Sequence, residues 1–521
     1  MFNIALLMEG NLVNQFYNQA ILHPKQLAIV SKKRSITYFE LSNQVQQTAA
    51  LYHKKGIRKG DKVLVFVPMS IELYRIILAL FHLGAIPVFL DEWSSVRRLN
   101  EAAETAKCKA LIATWKGQIL AWFIKGLRSI KLKIMPSESN NNYVKVDIAA
   151  VSKDDPVLIT FSTGSTGKPK AAVRTYSMLQ NQFEALKIYI DLNIQNSDMT
   201  SLPIVLMINI GLGKTTIIPD TNLKKLKNMD SKRIHNQMVY HKIPSLSCSP
   251  FFAERYAHYL LETNQESKLR SIIIGGAPCY PKTVEIIKLA FPDAIIRIVY
   301  GSTEAEPISS ILAEELLDYY NLNEFQGLAV GSIHHYTNVK IIPVLDHEFH
   351  KLNEIELENL ELKQNSIGEI IVKGPHVLRN YLDNEIAEKQ NKIITEKSVW
   401  HRTGDSGYLD ENNRLFLTGR CKQLIHCEGK LISPFVFEEK LGRISRVELG
   451  TILENDGEII CVIQSKPESD NKRIEQEIKT KFPVISRVKF MTHIPRDPRH
   501  HSKIDYVRLK ELILAMCFLL L

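Results

Sequence analysis

The sequence predicts an α/β protein: a large N-terminal domain of two helix-covered sheets with a β-rich, barrel-like subdomain, and a small, mobile α+β C-terminal domain. Its 521 residues exceed what one hydrophobic core usually serves. Strand-like apolar runs alternate with helix-like stretches through residues 37–90, as in βαβ units with parallel strands. From about residue 325, short strands separated by turns replace that alternation.

Two sets of alternating elements build the predicted sheets. In the first set, residues 38–55 and 71–83 have helical spacing, and residues 62–67, 85–90 and 111–113 are buried-strand runs. In the second set, strands at residues 271–278 and 294–300 end in the turns 275–278 and 301–304. Because ligands bind at the carboxyl ends of parallel strands, both turns lie where a ligand is expected.

The C-terminal part of the chain predicts shorter elements. Strands at 339–344, 368–372 and 415–417 fall in the β-rich subdomain, about residues 325–420. A boundary after residue 420 gives domains of residues 1–420 and 421–521. In the second of these, residues 458–465 are strand-like and residues 473–481 are helix-like.

Composition narrows the function classes. The net charge is +10, but the basic residues are spread along the chain, which disfavours nucleic-acid binding and suits an enzyme that handles ATP. Seven scattered cysteines without zinc spacing indicate a reduced, cytoplasmic chain. The apolar start lacks the basic region of a signal peptide, and apolar residues 512–521 are too few to span a bilayer. They either pack on the domain or touch a membrane surface.

The segment at residues 161–172 carries the strongest local signal. It follows a strand-like run at 157–160, and its five small residues, 163–167, offer unhindered N–H groups for a polyphosphate. Lys168 and Lys170 add positive charge before a basic, helix-like segment. The alternative is a flexible Ser/Thr/Gly linker. The Walker A spacing is absent here, and it is absent again at 211–216, where Ile208 stands in place of the required glycine.

The ordered motifs resemble the adenylate-forming superfamily of acyl-CoA synthetases, luciferases and peptide-synthetase adenylation domains, over nearly the whole chain. These motifs are residues 37–41, 60–61, 83–85, 162–170, 275–278, 300–304, 403–405 and 419–420, then Gly429 and the region around Lys503. The family joins a carboxylate to the α-phosphate of ATP and expels pyrophosphate. The resemblance therefore implies ATP, Mg²⁺ and, for some members, CoA.

The resemblance also implies a role for each motif residue. The β- and γ-phosphates are expected at the loop residues Ser162, Thr163, Gly164, Ser165, Thr166, Gly167 and Lys170. Thr303 would bind the α-phosphate and Glu304 the Mg²⁺. The adenine slot would be formed by Gly276, Ala277, Pro278 and Tyr300, with Asp405 and Arg420 holding the ribose–phosphate side. Gly301 is expected among the nucleotide-binding residues.

Lys503 is the expected catalytic cation, placed between the incoming carboxylate and the α-phosphate. Lys422 matches the family's hinge, about which the small domain rotates between half-reactions. Simpler interpretations stay open: Lys503 as a surface lysine, Asp405 as a turn residue, and Glu304 as an acid in the first turn of a helix.

Departures from the family pattern concern the acid and the second step. After Leu202 and Pro203 the sequence has Ile204, Val205 and Leu206, without the aromatic–histidine pair of many acyl-CoA synthetases. This segment, residues 304–307 and residues 497–503 look most like the β-lactone synthetases of olefin biosynthesis, which act on β-hydroxy fatty acids without CoA. A fatty acyl-CoA ligase is the main prediction and a β-lactone synthetase the alternative. An aryl or amino acid substrate, and a catalytically degenerate nucleotide-binding protein, also remain. The oligomeric state is not predicted.

Overall fold

The computed structural model describes residues 11–89, 96–137, 143–163, 169–190, 196–322, 324–345, 351–427, 429–496 and 504–520. The helices are α1 (Val13–Leu22), α2 (Tyr38–Lys54), α3 (Ile71–His82), α4 (Val96–Ala106), α5 (Trp115–Phe123), α6 (Lys125–Arg128), α7 (Tyr176–Lys187), α8 (Pro203–Gly211), α9 (Ser231–Tyr240), α10 (Pro250–Thr263), α11 (Pro281–Ala290), α12 (Ala313–Leu322), α13 (Glu354–Asn359), α14 (Glu385–Asn391), α15 (Pro434–Gly442), α16 (Asn471–Lys481) and α17 (Tyr506–Leu520).

The strands are β1 (Leu27–Val30), β2 (Ser35–Thr37), β3 (Lys62–Phe66), β4 (Ile86–Phe89), β5 (Ala110–Ala113), β6 (Leu132–Ile134), β7 (Pro156–Thr163), β8 (Pro169–Thr175), β9 (Ser197–Thr200), β10 (Thr215–Ile217), β11 (Ser245–Cys248), β12 (Ser271–Ile274), β13 (Ile295–Ser302), β14 (Ala305–Leu312), β15 (Leu328–Ile333), β16 (Asn338–Ile342), β17 (Gly368–Lys373), β18 (Lys392–Ile394), β19 (Val399–Leu409), β20 (Arg414–Arg420), β21 (Ile425–Cys427), β22 (Lys430–Ile432), β23 (Val447–Asn455), β24 (Glu458–Ser465) and β25 (Arg487–Phe490).

A six-stranded sheet has the order β6-β5-β3-β4-β7-β8. Neighbouring strands from β6 to β7 run parallel, and β8 returns antiparallel to β7. Val63 and Val65 of β3 join one hydrophobic cluster, whereas Leu64 between them joins the cluster on the opposite face. Both faces are therefore buried, which explains why the strands are continuous apolar runs.

A second sheet is longer, with the order β16-β17-β19-β20-β15-β14-β13-β12-β11-β9-β10-β1-β2, and β18 pairs with β19. Strands β1 and β9–β13 form its parallel part. The β-rich strands predicted near residues 325–420 continue this sheet, because β15 bonds to β14 and to β20. The predicted α/β class with two helix-covered sheets is confirmed.

The C-terminal residues form a smaller α+β unit around the sheet β23-β24-β25. Two hydrophobic clusters are built from residues 425–513, with Cys461 and Ile463 in one and Val462 in the other. Phe435 and Val436 at the start of α15 pack instead with the core of the long sheet. The division between residues 420 and 421 stays a prediction.

The apolar C-terminus lies in α17. Leu509 and Ile513 are buried against Ile494 and Leu453, whereas Leu514 is 48% exposed. Within the described residues, every helix is too short or too polar to cross a bilayer.

The segment after the Gly-rich loop is wrongly predicted as helix-like, since it is the strand β8. Ala171 and Val173 face one hydrophobic cluster and Ala172 faces another, so both sides of the segment are covered. Ser162 pairs with Lys170 and Thr163 pairs with Pro169, so β7 and β8 are antiparallel neighbours on either side of residues 164–168, which lie outside the described residues.

Candidate functional site

A cavity of about 2540 Å³ lies at the carboxyl ends of the parallel strands of both sheets. The predicted site residues that line it are Lys170, Gly276, Ala277, Pro278, Tyr300, Gly301, Thr303, Glu304, Asp405 and Arg420. Residues 164–168 and 497–503, which include Lys503, lie outside the described residues. The side chains of Ser162, Thr163 and Pro169 are likewise not described. Ten of the predicted residues, distant in sequence, thus meet at one cavity.

One end of the cavity is organised around Asp405. The Tyr300 hydroxyl donates to Asp405 Oδ2 at 2.8 Å, and Arg420 Nε lies 3.1 Å from Asp405 Oδ1. Asp405 and Arg420 sit directly opposite each other on β19 and β20. Because Asp405 lies inside a strand, the interpretation of it as a turn residue is wrong.

Burial and the neighbouring charges keep the Tyr300 hydroxyl neutral and the Arg420 guanidinium charged. Burial and the adjacent Asp405 carboxylate raise the pKa of Tyr300 well above its usual range, so the hydroxyl stays neutral and donates. The same carboxylate raises the pKa of Arg420 and keeps the guanidinium charged. The backbone of Gly276 (φ +85°) opens directly onto the cavity, with no heavy atom within 4 Å of the position a Cβ would take. The open backbone at Gly276 suits a flat ring, and the two oxygens of Asp405 suit a neighbouring diol.

Thr303 and Glu304 form the tip of the hairpin between β13 and β14, where Ser302 pairs with Ala305. A hairpin tip is not a helix, so the interpretation of Glu304 as a helix first-turn acid is wrong. Arg174 fixes this tip, since its Nη2 donates to the Thr303 carbonyl and its Nη1 to Thr160 Oγ1, both at 2.6 Å. The strands thereby hold Glu304 in the cavity.

Buried cations surround Glu304. Lys170, Arg174 and Lys392 are 5%, 6% and 1% exposed. Lys170 Nζ donates to Asn391 Oδ1 at 3.0 Å, and burial lowers the pKa of Lys170 while the Glu304 carboxylate opposes that shift. Burial likewise lowers the pKa of Lys392 to about 7, and Glu304 again opposes it.

Tyr381 and Lys392 were not predicted from the sequence. The Tyr381 hydroxyl donates to Glu304 Oε1 at 3.4 Å. Lys392 donates to the Leu378 carbonyl, and its Nζ lies 5.5 Å from the Tyr381 ring centroid. The two residues lie more than 200 positions beyond Lys170 in an ordinary polar stretch, so no local pattern marks them.

The charges at this end fit a magnesium-bound polyphosphate. Lys170, Arg174 and Lys392 face Glu304, Glu306 and Glu388, and burial raises the pKa of Glu306 while it lowers the pKa of Lys392 to about 7. Ser302, which lines the cavity, has a buried hydroxyl without a hydrogen-bond partner among the described residues. The buried Lys170 and Arg174 side chains and the unused hydroxyl match an anion, and the Glu304 carboxylate is an oxygen ligand of the type Mg²⁺ prefers.

A second arm of the cavity is apolar. Its lining from β3, α3 and α8 includes Val65, Val67, Tyr74, Ile77, Leu78, Phe81, Ile204, Met207 and Ile208. Helix α8 directs Ile204 and Met207 toward the arm, whereas Leu206 on its other side is fully buried. The predicted apolar run at 204–210 is therefore both a partly buried helix and a cavity wall.

The small C-terminal unit closes the cavity from the opposite side. Ile504 and Tyr506, which follow the undescribed segment, line it together with Glu438. Tyr280 donates to Glu438 Oε2 at 3.1 Å, and Tyr506 donates to Glu438 Oε1. Glu438 thus links a loop of the long sheet to the start of α17.

The segment resembling a Walker A motif has a different role. It runs from the end of α8 into β10, so a helix precedes a strand, the reverse of a P-loop. Lys214 is buried, and its charge acts on the buried Asp198.

Comparison with known proteins agrees with this geometry. The family described as AMP-binding enzyme matches residues 16–382. An olefin β-lactone synthetase of Xanthomonas campestris is 26% identical over 509 residues, 91% of this chain and 90% of that protein. A 2-succinylbenzoate–CoA ligase of Oceanobacillus iheyensis is 25% identical over 464 residues, 87% of this chain and 90% of that protein.

Solved structures share the fold. The amide bond synthetase of Marinactinospora thermotolerans superposes with a TM-score of 0.79 at 17% identity, covering 96% of this chain and 99% of that one. The O-succinylbenzoate coenzyme A synthetase of Bacillus subtilis in complex with ATP and magnesium gives 0.77 at 20% identity, covering 95% and 99%.

Proposed function

This chain belongs to the AMP-binding enzyme family, the adenylate-forming superfamily that its motifs resemble, and we propose that it adenylates an aliphatic, medium- or long-chain carboxylic acid with ATP and Mg²⁺. The observation that carries the proposal is the single cavity joining two unlike ends. One end presents Lys170, Glu304 and Asp405, and the other presents aliphatic side chains. An acid with an apolar chain would place its carboxylate where the two ends meet.

The polar end supplies what the reaction needs from the protein. Asp405 accepts hydrogen bonds from the ribose hydroxyls, with Arg420 and Tyr300 fixing the carboxylate. Lys170 and the Gly-rich loop at 162–169 bind the phosphates that leave as pyrophosphate. Glu304 would hold Mg²⁺, which would supply positive charge to the polyphosphate. Lys503 brings its ammonium between the two anions, so the repulsion between carboxylate and α-phosphate falls as the bond forms.

The acid is inferred from the apolar arm. The side chains of Ile77, Leu78, Phe81, Ile204 and Met207 carry no hydrogen-bonding group, and the Tyr74 hydroxyl of the same arm already donates to the Pro203 carbonyl at 3.3 Å. A second carboxylate, such as the one named for the 2-succinylbenzoate–CoA ligases, would lose solvation beside these apolar side chains. An unbranched alkyl chain gains from burial at each methylene.

The acyl group of the acyl-adenylate is then transferred to a thiol with release of AMP, as in an acyl-CoA ligase. The second candidate is internal attack by a β-hydroxyl to give a β-lactone, favoured by the similarity to the olefin β-lactone synthetase along 91% of the chain. In that reaction the hydroxyl oxygen bonds to the acyl carbon, the hydroxyl proton is lost, and AMP departs with the electron pair of its acyl–oxygen bond.

One product experiment separates these outcomes. A fatty acid and its β-hydroxy analogue are each incubated with ATP and Mg²⁺, with and without CoA, and the products are identified by mass spectrometry. A CoA-dependent thioester indicates the ligase. A CoA-independent product of the hydroxy acid that has lost one water indicates the lactone. Failure of every aliphatic acid to yield either product, when an aryl or amino acid does react, contradicts the proposed substrate class.

A further inference from the structure

Helix α5 presents its large apolar side chains to the outside. Trp115, Ile119, Trp122 and Phe123 are 60%, 52%, 70% and 82% exposed. Its buried positions include only small residues such as Gly117 and Ala121, one helical turn apart. A helix on the surface of a globular protein normally has the opposite arrangement, so these side chains are not held there by core packing.

Tight packing enforces this orientation. A Cβ added to Gly117 would lie 2.9 Å from both Ala113 Cβ and Phe66 Cδ1, so the helix contacts the sheet through its smallest residue. Thr114 caps its first turn, and Gln118 Nε2 donates to the Ile134 carbonyl at 3.0 Å. The helix cannot rotate its tryptophans inward without a clash between its other positions and β5.

The stretch of chain that contains α5 is basic, and the one acidic side chain found against it among the described residues is Glu104 of α4, whose Cγ lies 3.2 Å from the position a Cβ at Gly126 would take. From residue 105 to residue 137 the sequence has seven lysines or arginines and no aspartate or glutamate. Two of these cations lie beside the exposed rings: Lys116 Nζ is 5.3 Å from the Trp115 centroid, and Lys133 Nζ is 5.9 Å from the Trp122 centroid. Lys125, Arg128 and Lys131 are exposed along the same stretch.

We propose that this aromatic–basic face, formed by Trp115, Lys116, Ile119, Trp122, Phe123, Lys125, Arg128 and Lys131, binds the surface of an anionic lipid bilayer. Tryptophan and phenylalanine insert at the headgroup level, and lysine and arginine attract anionic lipids from the same side. A nucleic acid would use the cations but would leave Ile119 and Phe123 exposed. An anionic lipid surface would bury the apolar side chains of the face and pair with its basic side chains.

The face is connected to the cavity through the six-stranded sheet. Helix α5 follows the carboxyl end of β5, and β5 pairs with β3, whose continuation at Pro68, Met69 and Ser70 lines the cavity. The inference rests on the surface alone and does not depend on which acid the enzyme uses.

Vesicle co-sedimentation tests the face on the full-length protein. Sucrose-loaded vesicles of phosphatidylcholine, with or without about one-third phosphatidylglycerol, are the probes. We expect binding to the anionic vesicles only, weakening as salt is raised. The double substitution Trp122→Ser/Phe123→Ser should weaken binding by roughly tenfold or more, from lost apolar burial. Replacing Lys116, Lys125 and Arg128 by Gln should weaken it by a comparable factor.

The matched control is Val239→Ser/Tyr240→Ser, which removes exposed apolar side chains from α9, 61% and 81% exposed. It should bind vesicles as the wild type does, and all variants should keep the wild-type thermal unfolding midpoint. Absence of vesicle binding by the wild type, or equal binding by the α5 variants, overturns the proposal. A lipid-free dimer that the α5 variant converts to a monomer in sedimentation velocity also overturns it, because the face would then join two copies.

Discussion

At the scale of single residues, the Asp405 side chain is only 14% exposed, so little water reaches it. Asp405 is held by a hydroxyl donor on one side and a guanidinium on the other. Its two oxygens therefore keep a fixed direction toward the cavity. Charge-assisted hydrogen bonds of this kind are shorter and stronger than neutral ones. Removing the charge should therefore weaken nucleotide binding.

Asp405→Asn should raise the KM for ATP by roughly 10- to 100-fold, because the amide keeps the shape but loses the charge paired with Arg420. ATP–pyrophosphate exchange measures this. Tyr300→Phe is the matched control, since it removes one hydroxyl and leaves the ion pair, and its effect should be smaller. An Asp405→Asn enzyme with wild-type KM for ATP would show that the carboxylate does not contact the nucleotide.

Lys503→Ala should lower the rate of adenylation by at least about 100-fold while ATP still binds, because the ammonium acts between the two reacting anions. Single-turnover formation of acyl-AMP gives the rate, and equilibrium dialysis gives the affinity for ATP. The control is Lys510→Ala, which removes a cavity-lining lysine of α17 and should retain most of the rate. Retention of most activity by Lys503→Ala would remove Lys503 from the mechanism.

At the scale of elements, short sequence patterns predicted the regular structure well where both faces of a strand are buried. The run at residues 458–465 coincides with β24, and the helix predicted at 38–55 coincides with α2 within one residue. The helix prediction for the segment after the Gly-rich loop was wrong, because a mixture of small apolar and basic residues fits either a helix or a strand. The segment is a strand because it pairs with β7, and the local sequence does not show that pairing.

The residues of the candidate site were also predictable only where a local sequence motif marks them. Motif residues such as Tyr300, Glu304 and Asp405 were found because each stands in a short sequence motif that resembles the adenylate-forming superfamily. Tyr381 and Lys392 were missed because only the folded chain brings them to Glu304.

Helix α8 should set which chain lengths are accepted. Met207→Trp fills the apolar arm, so activity with long-chain acids should fall by at least about tenfold more than activity with short-chain acids. The measurement is kcat/KM across a series of chain lengths. Val205→Phe is the control, because Val205 lies on the same helix but is not part of the cavity lining. An equal loss at all chain lengths would place the acyl chain elsewhere.

Helix α15 should make stability depend on pH through Glu438. Burial raises the pKa of this carboxyl from its ordinary 4.5 to about 7, against the opposing hydrogen bonds from Tyr506 and Tyr280. The folded state therefore binds more protons than the unfolded state between these values. Its stability contribution is complete below pH 4.5 and is lost as pH rises through about 7.

The substitution Glu438→Gln removes this titration and keeps the shape. Relative to the wild type, the thermal unfolding midpoint of Glu438→Gln should rise by a few degrees near pH 8 and change less near pH 5. Scanning calorimetry at both pH values provides the comparison. Equal shifts at the two pH values would show that Glu438 does not titrate in this range.

At the scale of the whole molecule, two bodies of unequal size share one cavity. The long sheet provides the end of the cavity around Asp405, and the C-terminal unit lines the cavity through Glu438 and Tyr506. Lys422 lies in the short 3₁₀ turn Cys421–Gln423 between them. If the small unit must rotate to admit a thiol, this turn should matter for the second step and not for the first.

Lys422→Pro should stiffen the turn, leaving acyl-AMP formation within about threefold of the wild type and slowing thioester formation by about 100-fold or more. Lys422→Ala is the control and should retain both steps. Rapid quenching of the two half-reactions tests this. If the product is a lactone formed inside the acyl-adenylate, Lys422→Pro should spare it, and loss of both half-reactions would contradict the hinge.

The central claim is that the carboxylate of an aliphatic acid attacks the α-phosphate of ATP in this cavity. The test incubates an ¹⁸O-carboxylate fatty acid with ATP, Mg²⁺, the enzyme and an acyl acceptor, which is CoA for the plain acid and the acid's own hydroxyl for the β-hydroxy analogue, and then analyses the nucleotide by mass spectrometry. We expect AMP carrying one ¹⁸O atom from the acid, together with pyrophosphate, because the attack on the acyl carbon leaves the labelled oxygen on AMP. Formation of unlabelled AMP, or of ADP and phosphate, would contradict it.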